Sequence, residues 1–315
     1  MEIKYGIIAV AGISRRFAGA VRAAGGTVTA AASRSLAKAR QFCEENQIPK
    51  AYGSYEALYQ DPEITVVYIA TVNQGHAAEI TKALSYGKHV LCEKPLALTE
   101  AQAAAVFKEA GRRQLFLMEM QKSIFLPVTR LVKEYIDSKE MGLLHQVDMS
   151  ASFAAPPAAW MHEPEQGGVV YGSASYTLEY LDYLLHPEDI RIQAYGTREE
   201  TGTVNSVSMN IKMDHTLISS RISMRGPSAS YAMFYFERGS IRVPEYWKAR
   251  SCEIRPIGGE ARHMEDPVDY EMKYEVEHVR DCIMAGRVES PVMTAERTLR
   301  CCRQVDQIMK RLNES

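Results

Sequence analysis

The sequence predicts a two-domain α/β chain. Residues 1–121 read as a doubly wound parallel sheet, and residues 122–315 as an α+β domain built on a large open, mostly antiparallel sheet. Three observations predict this. At 315 residues the chain exceeds the size at which a single hydrophobic core stops growing. Up to about Met120, short continuous apolar runs alternate with helical patterns, as in a parallel sheet covered on both faces. Beyond Met120 the runs alternate in polarity, as in Val207-Ser208-Met209-Asn210-Ile211-Lys212-Met213, which suits strands with one buried face.

Taken in order, Ile3–Val10 is an apolar strand that breaks at Ala11-Gly12, and a helix with Phe17, Ala20 and Val21 at helical spacing follows. Thr27–Ala32 is a second strand, and Ser35 is placed to cap a helix carrying Ala37, Ala39 and Phe42. Val66–Ala70 is rich in β-branched residues. A helix from Gly75 to Tyr86 then leads through Gly87 into the strand His89–Cys92. Thr99 caps a helix ending near Gly111, and Leu115–Met118 reads as the fifth strand. In the second half a helix runs from near Phe125 to Ile136, a strand spans His145–Phe153, and a helix spans Ser175–Leu185. Extended stretches follow at Ile190–Tyr195, Val204–Met213, Thr216–Met224, Ala232–Glu237 and Ser240–Val243. Helices at Tyr270–Ala285 and Thr294–Leu312 close the chain. With no low-complexity linker between the halves, a cleft between two domains is the expected ligand site.

Composition excludes several function classes. Lys and Arg number 37 against 39 Asp and Glu, so no basic surplus serves nucleic acid. The apolar runs, such as Thr65–Val72, fall short of the roughly 20 residues a membrane helix needs. The apolar segment at the N-terminus is too short and too weakly flanked for a signal peptide. Cys43, Cys92, Cys252, Cys282, Cys301 and Cys302 form no metal clip and read as reduced thiols, with no metal site expected. A soluble cytoplasmic enzyme with a small-molecule substrate is the expectation.

The junction of the first strand with its helix is where a dinucleotide pyrophosphate would sit, against free backbone N–H groups and a partial positive charge. The turn Ala9-Val10-Ala11-Gly12-Ile13 is the expected cradle. The three glycine positions of G-x-G-x-x-G fall on Ala9, Ala11 and Ser14, so by itself the turn is equally an ordinary strand–helix connection. The second strand ends Ala32-Ser33-Arg34, with no carboxylate to bind the ribose hydroxyls of NAD. Ser33 and Arg34 suit a 2′-phosphate, which favours NADP over NAD; the alternative for Arg34 is a solvated loop residue.

The segment Val90-Leu91-Cys92-Glu93-Lys94-Pro95-Leu96 brings Glu-Lys-Pro to the carboxyl edge of the sheet. Together with Thr71-Val72-Asn73-Gln74-Gly75-His76, Gly87-Lys88-His89-Val90, Glu119, Phe125-Leu126-Pro127, Gly167-Gly168, Glu277-His278-Val279 and Glu289-Ser290-Pro291, it resembles the Gfo/Idh/MocA family, the glucose–fructose oxidoreductase and inositol dehydrogenase group, in its dimeric dihydrodiol dehydrogenase-like branch. The resemblance implies a Rossmann N-terminal domain, a C-terminal open sheet that mediates dimerisation, and NAD(P)-dependent chemistry on polyols, sugars or related alcohols. It implies a cis Lys94–Pro95 bond that turns the lysine toward nicotinamide and substrate. It also places Thr71, Asn73, His76, Glu93 and Lys94 along the cofactor. For His76, helix capping or a main-chain hydrogen bond is the alternative.

The family also places an Asp and, four residues later, a His or Tyr on the helix after Gly167-Gly168. Those positions fall on Gly172 and Tyr176. Lys94 and Tyr176 are thus the expected proton-handling pair, with the carboxylate missing; a core aromatic is the alternative for Tyr176, since Tyr180 and Tyr183 continue the helix. Lys122 is read either as a substrate contact or as a solvated lysine, and Trp160 either as a substrate lid or as a core aromatic. The function expected is an NADP-dependent oxidoreductase of a small polyol, sugar or cyclic alcohol or carbonyl. A catalytically silent NADP-binding sensor or scaffold is the alternative, resting on Ala9, Ala11 and Gly172.

Overall fold

The computed structural model describes residues 2–314. The parallel strands are β1 (Lys4–Ile8), β2 (Thr27–Ala32), β3 (Lys50–Tyr52), β4 (Val66–Ile69), β5 (His89–Glu93) and β6 (Leu117–Met120). Between them run α1 (Gly12–Ala23), α2 (Leu36–Asn46), α3 (Tyr55–Gln60), α4 (His76–Ser85) and α5 (Glu100–Arg113). The chain continues with α6 (Pro127–Ser138), β7 (Leu144–Ser152), α7 (Gly168–Leu185), β8 (Ile190–Arg198), β9 (Val204–Met213), β10 (Thr216–Ser223), β11 (Tyr231–Phe236) and β12 (Gly239–Pro244). It ends with β13 (Ser251–Pro256), β14 (Arg262–Glu265), α8 (Lys273–Met284) and α9 (Ala295–Glu314).

These elements form two compact units. The first holds the chain up to Gln121 and again from Asp269 to Leu299; the second holds Lys122 to Val268 and the residues from Arg300 on. The segment 269–299, read from the sequence as part of the second domain, therefore makes its contacts with the first. Gly19 of α1 explains the fit, because a Cβ there would fall 2.2 Å from the Tyr270 ring. Arg280 of α8 also donates to the Ala24 carbonyl at 3.2 Å.

The first sheet has the order β3-β2-β1-β4-β5-β6, and every pairing is parallel. Strand order reverses between β1 and β4, which is where open α/β sheets bind nucleotides beyond their carboxyl ends. Ile7, Ile8, Val66, Val67, Tyr68 and Ile69 are fully buried, as strands covered on both faces must be. Phe17 of α1 stacks on Tyr68 with ring centroids 3.8 Å apart. Ser35 and Thr99 cap their helices as the sequence predicts, accepting from Lys38 and Gln102 N–H at 3.4 and 3.2 Å. The short β3 and α3 were not foreseen, so Leu117–Met120 is the sixth strand and not the fifth.

The second sheet has the order β14-β13-β12-β11-β7-β10-β9-β8. Only β7 and β10 pair in parallel. The alternation read from β9 is physical: Val207, Met209, Ile211 and Met213 are buried, and Ser208, Asn210 and Lys212 are exposed. Helix α7 packs on the apolar face. It begins at Gly168, seven residues before the predicted start, because Gly168, Gly172, Ser173 and Ser175 dilute the helical signal. Gly168 has φ +70 and a Cβ there would lie 2.5 Å from the Val204 carbonyl, so only glycine fits. β13 and β14 extend the sheet beyond the predicted strands. No helix of the described residues is long and apolar enough to cross a membrane.

Candidate functional site

The phosphate turn leaves β1 through Ala9, which is in the left-handed region at φ 66. A residue with a Cβ costs about 1–2 kcal/mol there, which is why glycine is usual at this position. Ala9 N–H donates to the Ala32 carbonyl at 3.0 Å, tying the turn to the end of β2. The Ser14 hydroxyl donates to the Ala9 carbonyl at 2.6 Å and accepts Ala11 N–H at 3.3 Å. Ser14 thus replaces a glycine with a buried polar tie, a role that sequence reasoning missed. Ala11, with φ −139 and ψ 177, is in extended backbone that any residue adopts, so of the two alanines only Ala9 is strained. Val10 and Ile13 are half-buried in the turn. The amides of Gly12 and Ile13, in the first turn of the twelve-residue α1, have no carbonyl four residues back within the helix. A Cβ on Gly12 would meet no atom within 4 Å, and Ala11 and Gly12 are exposed, so the helix start is open on that side.

At the end of β2, Ser33 is half-buried and accepts Ser35 N–H at 3.4 Å, while Arg34 is exposed. Burial pushes the Tyr55 phenol up, and the Arg34 guanidinium pulls it the other way, which sets Tyr55 within electrostatic reach of the tip. At the end of β4, the buried Thr71 hydroxyl has no hydrogen-bond partner. Buried polar groups are normally satisfied, so this hydroxyl is suited to a ligand. First-turn amides, a free hydroxyl and a guanidinium form the donor set that a nicotinamide dinucleotide requires, and these residues fit that cofactor.

The third feature of this unit is the turn after β5. The Lys94–Pro95 bond is cis, as the resemblance implies. Three buried side chains surround the turn. Tyr68 donates to the Glu93 carboxylate at 2.5 Å, and burial with the Glu93 charge raises the Tyr68 phenol well above its ordinary value. His76 is 1% exposed, with Nδ1 2.7 Å from the Pro95 carbonyl and Nε2 3.0 Å from the Thr71 carbonyl. Burial lowers its pKa, against the two carbonyl bonds and the Glu93 charge. Glu119 of β6 is also 1% exposed, accepting Leu96 N–H at 2.9 Å and the Thr298 hydroxyl at 2.7 Å. Thr71, His76, Glu93 and Lys94 therefore share one bonded neighbourhood, and buried Asn73 opens the short turn Asn73–Gly75 within it. Cys92, pushed up by burial and by the Glu119 and Glu93 charges, is an inert thiol.

In the second unit, Tyr176 is half-buried on α7 and lines a cavity of about 440 Å³. Phe153 and Trp247 line it too, with Ser152 and Ser173 and the Glu245–Lys248 ion pair, whose N–O distance is 2.9 Å. Lys122 is buried and its Nζ lies 5.8 Å from the Tyr176 ring centroid, so the two predicted residues are brought together. Trp160 sits in the short helix Ala159–His162 and does not line this cavity; Trp247, which sequence reasoning missed, does. The aromatic pair Tyr246-Trp247 in an otherwise polar turn was the available signal. A Cβ on Gly172 would lie 3.5 Å from Met161 Cε, an ordinary contact, so a side chain can begin at this position without a clash.

The parallel sheet, the open helix terminus and the lysine turn define an NAD(P)-binding oxidoreductase. Residues 3–120 match the model of the oxidoreductase family with an NAD-binding Rossmann fold, and residues 129–242 match the GFO/IDH/MocA C-terminal domain. The chain belongs to the Gfo/Idh/MocA family and is an NAD(P)-dependent enzyme acting on CH–OH groups. It is 31% identical over 313 residues to the trans-1,2-dihydrobenzene-1,2-diol dehydrogenase of Xenopus laevis, covering 93% of each chain. The enzyme of that name from Mus musculus is 30% identical, with 93% and 92% covered. Among solved structures, a 3-ketoreductase from Actinomadura kijaniata with NADP and TDP-benzene superposes with a TM-score of 0.88 at 23% identity, covering 98% of both chains. A levoglucosan dehydrogenase with NADH and levoglucosan gives a TM-score of 0.89 at 16% identity, covering 100% of this chain and 98% of the other. Both likenesses establish the fold.

Proposed function

We propose that this enzyme is an NADP-dependent dehydrogenase or reductase of a small cyclic diol, polyol or sugar, or of the matching carbonyl, with Lys94 and Tyr176 handling the hydroxyl proton. The observation that carries the reading is the cavity beside Tyr176. Phe153, Tyr176 and Trp247 offer apolar faces to a ring, while Ser152, Ser173 and the Glu245–Lys248 pair offer hydrogen bonds to its hydroxyls. The curated relatives are named for a cyclic diol of this kind.

When bound, the nicotinamide accepts or supplies the hydride at its C4. Oxidation of the alcohol also releases the hydroxyl proton, which Lys94 or Tyr176 takes up, and reduction returns it. The buried Lys122 ammonium over the Tyr176 ring stabilises negative charge that develops on the phenol oxygen. Ala9, Val10, Ala11, Gly12 and Ile13 would hold the pyrophosphate, Ser33 and Arg34 the 2′-phosphate, and Thr71, Asn73, His76 and Glu93 the nicotinamide end. His76 would act there from its place between the Pro95 and Thr71 carbonyls. Lys122 belongs to the substrate side through its place beside Tyr176, whereas Trp160, outside the cavity, is not assigned a substrate contact. A homodimer through the second sheet and a cytoplasmic location complete the reading.

Turnover with trans-dihydrodiols, cyclic polyols and aldoses tests the reading. Lys94→Met should lower kcat by about 10²–10⁴ while NADPH affinity stays within a few-fold, since a positioned acid or base contributes that much. Tyr176→Phe should cost about as much if the two act as a unit, with the double variant barely worse. Turnover untouched by both substitutions overturns the assignment.

A further inference from the structure

We propose that His76 and Glu119 are positioning residues for Lys94, acting as a two-sided clamp on the single peptide unit that follows Pro95. The inference rests on the proton-handling role proposed above for Lys94. The Pro95 carbonyl meets His76 Nδ1 at 2.7 Å, and the Leu96 N–H donates to Glu119 Oε1 at 2.9 Å. This carbonyl and this N–H are the two polar ends of one planar peptide group. Rotating that plane swings its oxygen and its N–H in opposite directions, so a bond at each end prevents the rotation. The proline ring locks φ of Pro95, which leaves its ψ as the one soft torsion between this plane and the peptide carrying the Lys94 carbonyl. Holding the plane therefore sets the direction in which Lys94 leaves the sheet edge.

The clamp is itself anchored. Burial favours the neutral His76 ring, which has one N–H, here given to the shorter contact with Pro95 at 2.7 Å; its Nε2 stands 3.0 Å from the Thr71 carbonyl, and Glu119 on β6 accepts the Thr298 hydroxyl of α9 at 2.7 Å. These attachments lie on the two neighbours of β5 in the sheet: Thr71 follows β4, and Glu119 is in β6 opposite Cys92. A carboxylate and an imidazole at 1% exposure are costly to bury, and each turns a polar atom to the backbone that follows Lys94, Glu119 Oε1 to Leu96 N–H and His76 Nδ1 to the Pro95 carbonyl. Proton transfer needs the lysine within hydrogen-bond reach of one oxygen, and a misplacement of 1 Å costs about 10²-fold in rate.

The test compares Glu119→Ala, Glu119→Gln, His76→Phe and the double variant Glu119→Ala/His76→Phe, with exchange of the Leu96 amide read by NMR and folding checked by thermal unfolding. Glu119→Ala should lower kcat at least about tenfold, leave the cofactor KM within about threefold, and speed Leu96 exchange. Glu119→Gln keeps an acceptor for Leu96 and should restore most of kcat. His76→Phe should lower kcat likewise, and the double variant should fall within about threefold of the worse single one, because both bonds act on one peptide unit. In a Lys94→Met background, Glu119→Ala should cost nothing further, whereas a general loss of structure would still lower the residual rate. A folded Glu119→Ala enzyme that has lost Leu96 protection yet turns over within about twofold of wild type overturns the proposal, as does Leu96 exchange unchanged by the substitution. Full turnover in Lys94→Met overturns the role of Lys94 instead, and Leu96 protection then reports on the clamp separately.

Discussion

Two turns leave the carboxyl edge of the same parallel sheet, and they are built in opposite ways. The turn after β1 bends through a strained alanine, is closed by the single hydroxyl of Ser14, and opens to solvent at Ala11 and Gly12. The turn after β5 is enclosed by Tyr68, His76 and Glu119, each bonded to a successive part of Glu93-Lys94-Pro95-Leu96. The difference suits the role proposed for each turn. A pyrophosphate is held by several amides and a diffuse partial charge, and it tolerates a small shift. A proton is passed between two atoms at hydrogen-bond distance, and it does not. The sheet thus carries a soft turn and a stiff turn along one edge.

Three substitutions break or sharpen this contrast, in descending order of effect. If charge outweighs turn geometry on the binding side, Arg34→Ala should weaken NADPH about tenfold or more and leave NADH nearly unchanged, since a charge-assisted bond to phosphate contributes about 1.5–3 kcal/mol. Titration of wild type and variant with both cofactors decides it, and equal wild-type affinities for NADPH and NADH would end the NADP assignment. Ser14→Ala should destabilise the first unit by about 1–2 kcal/mol, because it removes the acceptor for Ala11 N–H and the donor to the Ala9 carbonyl together. Denaturant unfolding measures this, and no change would mean that the turn closes without the hydroxyl.

The smallest effect belongs to Ala9→Gly. Relief of about 1–2 kcal/mol of left-handed strain, less about 0.4–1 kcal/mol of added unfolded-state entropy, predicts a gain of about 0.5–1 kcal/mol. Ala11→Gly, at extended backbone, should give no such gain. Equal responses at the two alanines in thermal unfolding would show that the strain is not confined to Ala9.

What the sequence determined by itself was whatever short-range chemistry encodes. Parallel strands announced themselves as continuous apolar runs, the second sheet as alternation, and Ser35 and Thr99 as caps whose bonds close within three residues. Glu93-Lys94-Pro95 and the loop Thr71–His76 were legible because the residue types stand next to each other. β3 and α3, with three and six residues, are too short to carry a period. Only the tertiary structure decided the rest. Thr298 meets Glu119 across 179 residues of chain, Trp247 reaches the cavity of Tyr176 from a different element, and segment 269–299 folds onto the first unit. Ser14 became a structural tie only because Ala9 takes a left-handed conformation that turns its carbonyl to the hydroxyl. Such partners leave no mark in local spacing, since a hydrogen bond depends on where two atoms end up after the core has packed.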